Sequence, residues 1–370
     1  MMNRIRRSLA LIVSAVLLSA CNGAEKIPEA ASSSMELLYA EQFSVDYNYD
    51  GTAVISVGDG EKYLLVPEGA EVSSLEGMTV IHQPLDNIYL AASSAMDLFC
   101  SLDALDSITA TATAPKDWYI PEVKTAVENE DILYAGKYSS PDYEVILSED
   151  CEIAIESTMI YHKPEVKEQL EALGIPVFVE RSSYEAHPLG RLEWIKLYGL
   201  LLGKEEEAQA FFDEKCSLVQ RLSVEDTGLT AVFFYIASNG CVNVRKPGDY
   251  IGEMIRMAGG RYVFGAEDMN VDENALSSVN MQFEAFYAGA VNADVLIYNS
   301  TVDGGVSSLE ELISKNELMR DFKAVQNGNV WCTEQNMFQK TSCTAEMTAD
   351  LNRIFTGTDC DKLEYLYKLS

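Results

Sequence analysis

"EAHPLGRLEWIKLYGLLLGKEEEAQAFFDEKCSLVQRL", Glu185–Leu222, lies near the midpoint of a 370-residue chain. Leu189, Leu192, Ile195, Tyr198, Leu201, Ala208, Phe211 and Leu218 recur at helical spacing, and within this stretch no proline follows Pro188. This pattern predicts a rod over residues 186–222 with one apolar face packed downward. A helix of about 35 residues, at about 1.5 Å rise each, is about 50 Å long. That exceeds one small domain but suits a connector running along two. Gly199 and Gly203 weaken the pattern, so two consecutive helices stay open.

The flanks fit a connector. Before the rod, "NIYLAAS", "SITAT", "ILYAG", "CEIAIEST" and "IPVFVE" are short apolar runs that alternate with helical patterns such as "PDYEVILSED" and "PEVKEQLEALG". After it, "TAVFFYIAS", "ADVLIYNST" and "GNVWCTE" alternate with "GDYIGEMIRMAGG", "QFEAFYAG" and "LEELISKNELMRDF". Buried runs alternating with amphipathic helices imply an α/β chain with mostly parallel sheets, here in two lobes. Residues 42–66 differ: polar and apolar residues alternate around "YDG" and "GDG", which reads as a β meander. The expected organisation is an N-terminal β extension over 35–84, an N-lobe over 85–185, the spine over 186–222 and a C-lobe over 223–370.

Residues 1–20 read as a signal peptide, with Arg4, Arg6 and Arg7 ahead of an apolar run too short to span a bilayer comfortably. Leu18-Ser19-Ala20-Cys21 resembles the lipobox of bacterial lipoproteins, in which the cysteine is lipidated after cleavage. Residues 21–34 are small and polar, as a tether would be. The expectation is a monomer on the extracytoplasmic face, held by lipid at Cys21, with a Gram-positive surface suggested. The formal charge of −31 repels phosphate backbones and argues against nucleic acid partners. Cys100, Cys151, Cys216, Cys241, Cys332, Cys343 and Cys360 show no C-x-x-C spacing, hence no disulfide framework and no zinc site, although a Cys332–Cys343 bridge stays open.

Catalytic signatures are missing: there is no G-x-S-x-G, H-E-x-x-H, phosphate-loop or dinucleotide pattern. His82, His162 and His187 are too few for a histidine-rich metal site. The chain is therefore expected to bind rather than to catalyse, with no resident cofactor. In open α/β sheets ligands bind beyond the carboxyl ends of strands. The residues expected there are Ser94, Met96, Trp118, Tyr119, Lys137, Tyr138, Thr158, Tyr161, His162 and Tyr184 from the first half, and Arg245, Tyr250 and Trp331 from the second. Such a lining suits a bulky, partly apolar ligand with polar edges. His162, in a loop before Pro164, could reach a chelated metal axially. Lys137, Arg181, Arg191, Arg245 and Lys246 could supply positive charge.

Taken in order, "IYLAASSAMDLFCSLDALDSI", "ERSSYEAHPLGRLEWIKLYGLLLGKEEEAQAFF", "DYIGEMIRMAGGRY" and "FEAFYAGAVNADVLIYNS" resemble the substrate-binding proteins of ABC importers for ferric siderophores, haem and cobalamin. The resemblance covers roughly residues 85–370. It implies two lobes around a cleft held by a spine helix, a metal chelate as ligand, and a permease with its ATPase as partners. It also implies that Glu144 and Glu284 dock onto the permease. An iron complex ranks first as cargo and a corrinoid second. Two other classes are weighed against this receptor: an extracellular enzyme, and a surface sensor or adhesion protein on the same fold.

Overall fold

The computed structural model describes residues 33–58, 60–70, 77–222, 225–272 and 277–370. Cys21 and the signal segment lie outside the described residues.

The N-terminal extension is a five-stranded sheet: β1 (Ser33–Ser34), β2 (Phe43–Tyr47), β3 (Ala53–Val57), β4 (Glu61–Val66) and β5 (Thr79–His82), in that spatial order. Strands β2, β3 and β4 form the expected antiparallel meander, and β5 joins β4 in parallel. In β3, Ala53, Ile55 and Val57 are buried while Val54 and Ser56 are half-buried, the period-2 signature of a sheet covered on one face.

The N-lobe sheet comprises β6 (Ile88–Leu90), β7 (Ile108–Thr111), β8 (Leu133–Tyr134), β11 (Ile153–Ser157) and β12 (Val177–Glu180), ordered β12-β11-β6-β7-β8 and parallel throughout. A small hairpin, β9 (Gly136–Lys137) with β10 (Ser140–Pro141), follows β8. Helices α1 (Met96–Ser101), α2 (Pro121–Glu128), α3 (Tyr143–Ser148) and α4 (Pro164–Ala172) connect the strands.

The C-lobe sheet keeps β13 (Thr230–Ile236), β17 (Val295–Tyr298) and β18 (Val330–Thr333) parallel at its centre. Antiparallel β14 (Val242–Arg245), β16 (Ser278–Met281) and β19 (Leu366–Lys368) flank them, and β15 (Arg261–Tyr262) pairs with the start of β13. Its helices are α7 (Tyr250–Met257), α8 (Ala266–Met269), α9 (Phe283–Ala290), α10 (Leu309–Lys315), α11 (Lys323–Gln326) and α12 (Thr344–Thr356).

The midpoint segment is not one straight rod. It forms α5 (Pro188–Leu202) and α6 (Glu205–Gln220), separated at Gly203, whose φ of +69° places it in the left-handed region. Glycine adopts that conformation without the steric cost a Cβ would bring, and so ends the helix. The second helix folds back along the first. A Cβ at Gly199 would lie 2.4 Å from that of Ala208, so the two backbones meet there. The Lys196 ammonium sits 4.4 Å above the Phe212 ring. The Tyr39 ring touches both His187, at 4.4 Å, and Phe212, at 6.3 Å. Both helices reach the C-lobe: α5 packs on α7 and α12, and α6 packs on α12 and pairs Lys215 with Glu346.

The one-sided packing expected of the rod is also corrected. All fifteen residues of α5 are buried, including Arg191, Glu193 and Lys196. The N-terminal sheet covers the face that periodicity assigns to solvent: Phe43 meets Trp194 edge-on at 5.0 Å, within one continuous apolar core. The carboxylate of Glu193 accepts the amides of Leu38, Tyr39 and Ala40 at 2.8–3.0 Å and the Lys196 ammonium at 2.8 Å. Glu185 accepts the amides of Glu41 and Gln42 and the Trp194 indole N–H. Five consecutive backbone amides are thus tied to two buried carboxyls of the spine region.

Another carboxyl is buried without help. Glu156 on β11 is 0% exposed, and neither oxygen has a hydrogen-bond partner. Desolvation alone pushes its pKa from 4.5 up to about 8. The unfolded chain releases this proton near its ordinary value, whereas the folded chain holds it. Stability is therefore full below about pH 4.5 and falls by about 1.4 kcal/mol per pH unit as pH rises toward about 8. Glu156→Gln is expected to flatten that slope, read as urea midpoints at pH 5 and pH 8. Equal slopes for both proteins would exclude this account.

Candidate functional site

The carboxyl ends of the N-lobe strands converge on the C-lobe. Beyond β6 lie Ser93 and Ser94. Beyond β11 a 3-10 turn carries Thr158, Met159 and His162, and beyond β12 come Ser183 and Tyr184. Arg191 reaches in from the first turn of α5. From the C-lobe come Arg245 at the end of β14, Asp249 and Tyr250 at the start of α7, Ser277 and Phe338. Together they line a cleft of about 480 Å³ between the lobes.

The floor is charged and tightly held. The Arg191 guanidinium stacks on the Tyr250 ring at 4.1 Å, so a side chain of the spine rests on an aromatic of the C-lobe. Its Nε–H is buried and unpartnered. Arg245 lies between the Phe233 and Phe338 rings, at 5.5 and 5.0 Å, with Nη1 3.5 Å from Asp249 Oδ2. The Tyr262 hydroxyl accepts the Arg245 amide and donates to its carbonyl, which fixes that residue's backbone. Asp249 caps α7 by accepting the Ile251 amide at 3.0 Å. Beneath Arg191, Glu180 accepts the Ser182 amide at 2.7 Å and the Ser94 hydroxyl at 3.3 Å. Burial pushes both the Glu180 and Asp249 carboxyls up. Hydrogen bonds and the Arg191 charge oppose that rise at both, and Arg245 opposes it at Asp249.

A second line of contacts seals the lobes beside the cleft. The Gln339 side chain donates to Asp117 O at 2.7 Å and accepts the Tyr119 amide at 2.8 Å. The Thr341 hydroxyl donates to Ser94 O, and the Ser342 amide donates to the buried Asp97 carboxyl, both at 2.8 Å.

Seven residues read from sequence meet in the cleft: Ser94, Thr158, His162, Tyr184, Arg191, Arg245 and Tyr250. Tyr161 is exposed on the same turn as His162. Tyr119 lies instead in a neighbouring groove with Glu334, Gln335 and Tyr367. Lys137 and Tyr138 lie at the β9–β10 hairpin, outside the cleft lining. Met96, Trp118 and Trp331 are corrected to the core, at 0%, 1% and 4% exposure. The Trp118 indole N–H donates to Thr113 O and that of Trp331 to Asn329 Oδ1, so both are satisfied away from the cleft. Glu144 and Glu284 are exposed in the first turns of α3 and α9, one on each lobe. Ser183, Asp249, Ser277 and Phe338 were not singled out by sequence. Only Asp249, ahead of an apolar helix, carried a signal, and that signal was for a cap.

Among the described residues no group of three or more His, Cys, Asp or Glu could hold a metal ion, and no helix is long and apolar enough to cross a membrane. All seven described cysteines are free, Cys332 and Cys343 included.

A family model described as periplasmic binding protein matches residues 90–336, about two-thirds of the chain. The chain belongs to the periplasmic binding proteins. This periplasmic binding protein is 25% identical over 338 residues to an uncharacterized lipoprotein of Methanocaldococcus jannaschii, covering 85% of this chain and 78% of that one. Its fold matches a periplasmic haem binding protein from Pseudomonas aeruginosa, with a TM-score of 0.59, 15% identity and coverage of 77% of this chain and 98% of the other. It also matches an ABC-type Fe3+-hydroxamate transport protein from Saccharomonospora viridis, with a TM-score of 0.56, 19% identity and coverage of 74% and 93%. The family match begins after the N-terminal sheet, which nonetheless shares the N-lobe core.

Proposed function

We propose that this chain is the lipid-anchored, extracytoplasmic receptor of an ABC importer, which captures a metal chelate in the interlobe cleft and delivers it to the permease. An iron complex, siderophore or haem, is the first cargo and a corrinoid the second. The observation that carries this reading is the cleft itself. Aromatic surfaces from Tyr184, Tyr250 and Phe338 face hydroxyls from Ser93, Ser94, Thr158, Ser183 and Ser277 across a space sized for a chelate. The exposed His162 stands where it could meet a metal axially. Capture and release need no covalent step, which fits a site without a nucleophile–base pair. Fold similarity to haem and ferric-hydroxamate proteins supports the same class of cargo. The lipoprotein name of the archaeal relative supports the anchor at Cys21.

Thermal melting of the protein against haem, ferric siderophores, cobalamin and cobinamide tests this. A ligand that binds only the folded state raises the melting temperature, by an increment equivalent to about 2.7 kcal/mol at a hundredfold excess over Kd. A rise with one chelate class is expected. No rise with any of them would remove the chelate-receptor reading and favour a sensor or adhesion role.

A further inference from the structure

The opening between the lobes is divided. One compartment is the cleft of about 480 Å³ described above, with Tyr250 and Phe338 among its walls. The other is a groove of about 500 Å³, walled by Tyr119 from the N-lobe and by Glu334, Gln335, Asn336 and Tyr367 from the C-lobe. The chain from Glu334 to Ser342 serves both: Asn336 lines the groove, and Phe338, two residues on, lines the cleft. Gln339 follows directly and lines neither space. Its side chain is committed to the N-lobe, donating to Asp117 O at 2.7 Å and accepting the Tyr119 amide at 2.8 Å. A primary amide, with a donor on one atom and an acceptor on the other, matches both backbone groups at once.

Both ends of this bridge are firmly held. Between Asp117 and Tyr119 stands Trp118, buried in the core, with its indole N–H bound to Thr113 O. On the C-lobe side the Gln339 and Lys340 amides both donate to Asn336 O, at 2.9 and 3.0 Å, and the Arg245 guanidinium lies 5.0 Å over the Phe338 ring. Two residues past Gln339, the Thr341 hydroxyl fastens the same segment to Ser94 O. A ligand reaching from the cleft into the groove must break two matched hydrogen bonds, whereas a ligand confined to the cleft breaks neither. Resting on the receptor reading above, we infer that Gln339 determines specificity by cargo size. The bridge confines cargo to the cleft compartment. It admits a compact chelate, such as a ferric trihydroxamate or haem, and discriminates against the bulkier corrinoid macrocycle with its amide arms.

The test is titration of the purified wild type and of Gln339→Ala with ferrioxamine B, haemin and dicyanocobinamide, followed by tryptophan fluorescence or calorimetry. The wild type is expected to bind one of the two compact chelates at least about tenfold more tightly than the corrinoid. In Gln339→Ala the two compartments join. The ratio of compact-chelate to corrinoid affinity should then fall by at least about fivefold, through tighter binding of the corrinoid. A residue that only supported the fold would weaken all three ligands together and leave the ratio unchanged, so the ratio is the readout. Should Gln339→Ala lose its circular dichroism, Gln339→Asn, polar but one methylene shorter, carries the comparison. A smaller wild-type preference, or a preference for the corrinoid, would overturn the inference and leave the receptor reading standing. So would a smaller fall of the ratio in the folded variant. Failure of all three chelates to bind the wild type would overturn both.

Discussion

Glu193→Ala is expected to destabilise the protein by about 3–5 kcal/mol and to free the chain before Phe43 for proteolysis. The carboxylate is 0% exposed and makes an ion pair with Lys196, itself 6% exposed. Removing it leaves a buried ammonium that donates only to the carbonyl of Glu36 among the described residues. It also orphans the amides of Leu38, Tyr39 and Ala40, each worth about 1–3 kcal/mol if left unsatisfied. Glu193→Gln keeps one acceptor oxygen and should lose less. Urea unfolding and limited chymotrypsin digestion, which can cut after Leu37, Leu38 and Tyr39, read the two effects separately. A Glu193→Ala protein within about 0.5 kcal/mol of the wild type would show that apolar contacts such as Phe43 on Trp194 hold the extension unaided.

The second large effect concerns delivery. If the lobes dock through Glu144 and Glu284, the double alanine variant should reduce cargo uptake by at least about tenfold while leaving cargo affinity unchanged. Both side chains are exposed, neither lines the cleft, and they project from different lobes. Two separated anionic points can orient a rigid body over a basic partner, and losing them slows productive encounter rather than capture. Uptake of labelled cargo by cells, set against Kd of the purified variants, separates the steps. Full uptake by the double variant would remove the docking roles and leave the cleft untouched.

The alternation of buried runs and helices was legible because parallel strands covered on both faces read as unbroken apolar segments, as in "VFVE" and "VLIY". The break at Gly203 and the fold-back were harder to read. A glycine at a helix C-terminus and one inside a helix look alike until the Gly199–Ala208 contact forces the choice. The burial of Arg191, Glu193 and Lys196 was not legible, because periodicity in α5 cannot reveal a sheet contributed by residues far earlier in the chain. In the cleft, residues directly beyond strand ends, such as Ser94 and Thr158, were found by position. Trp118 and Trp331 were drawn in by the same rule, yet each turns its ring into the core. Phe338 arrives on an irregular segment for which no spacing rule exists.

The seal made by Gln339, Thr341 and Ser342 has a consequence for how the molecule assembles. Its four hydrogen bonds join positions 220 to 247 residues apart. Contacts so remote in sequence form only after the loop-closure entropy between them has been overcome, and they come late in folding. During vectorial synthesis the N-lobe appears first and waits, with Asp97 and the Ser94 carbonyl unmatched, until nearly the whole chain has followed. Closing this seam is therefore a late step in joining the N-lobe to the C-terminal part of the chain. A mutation confined to 339–343 should slow the last kinetic phase of refolding more than it alters either half.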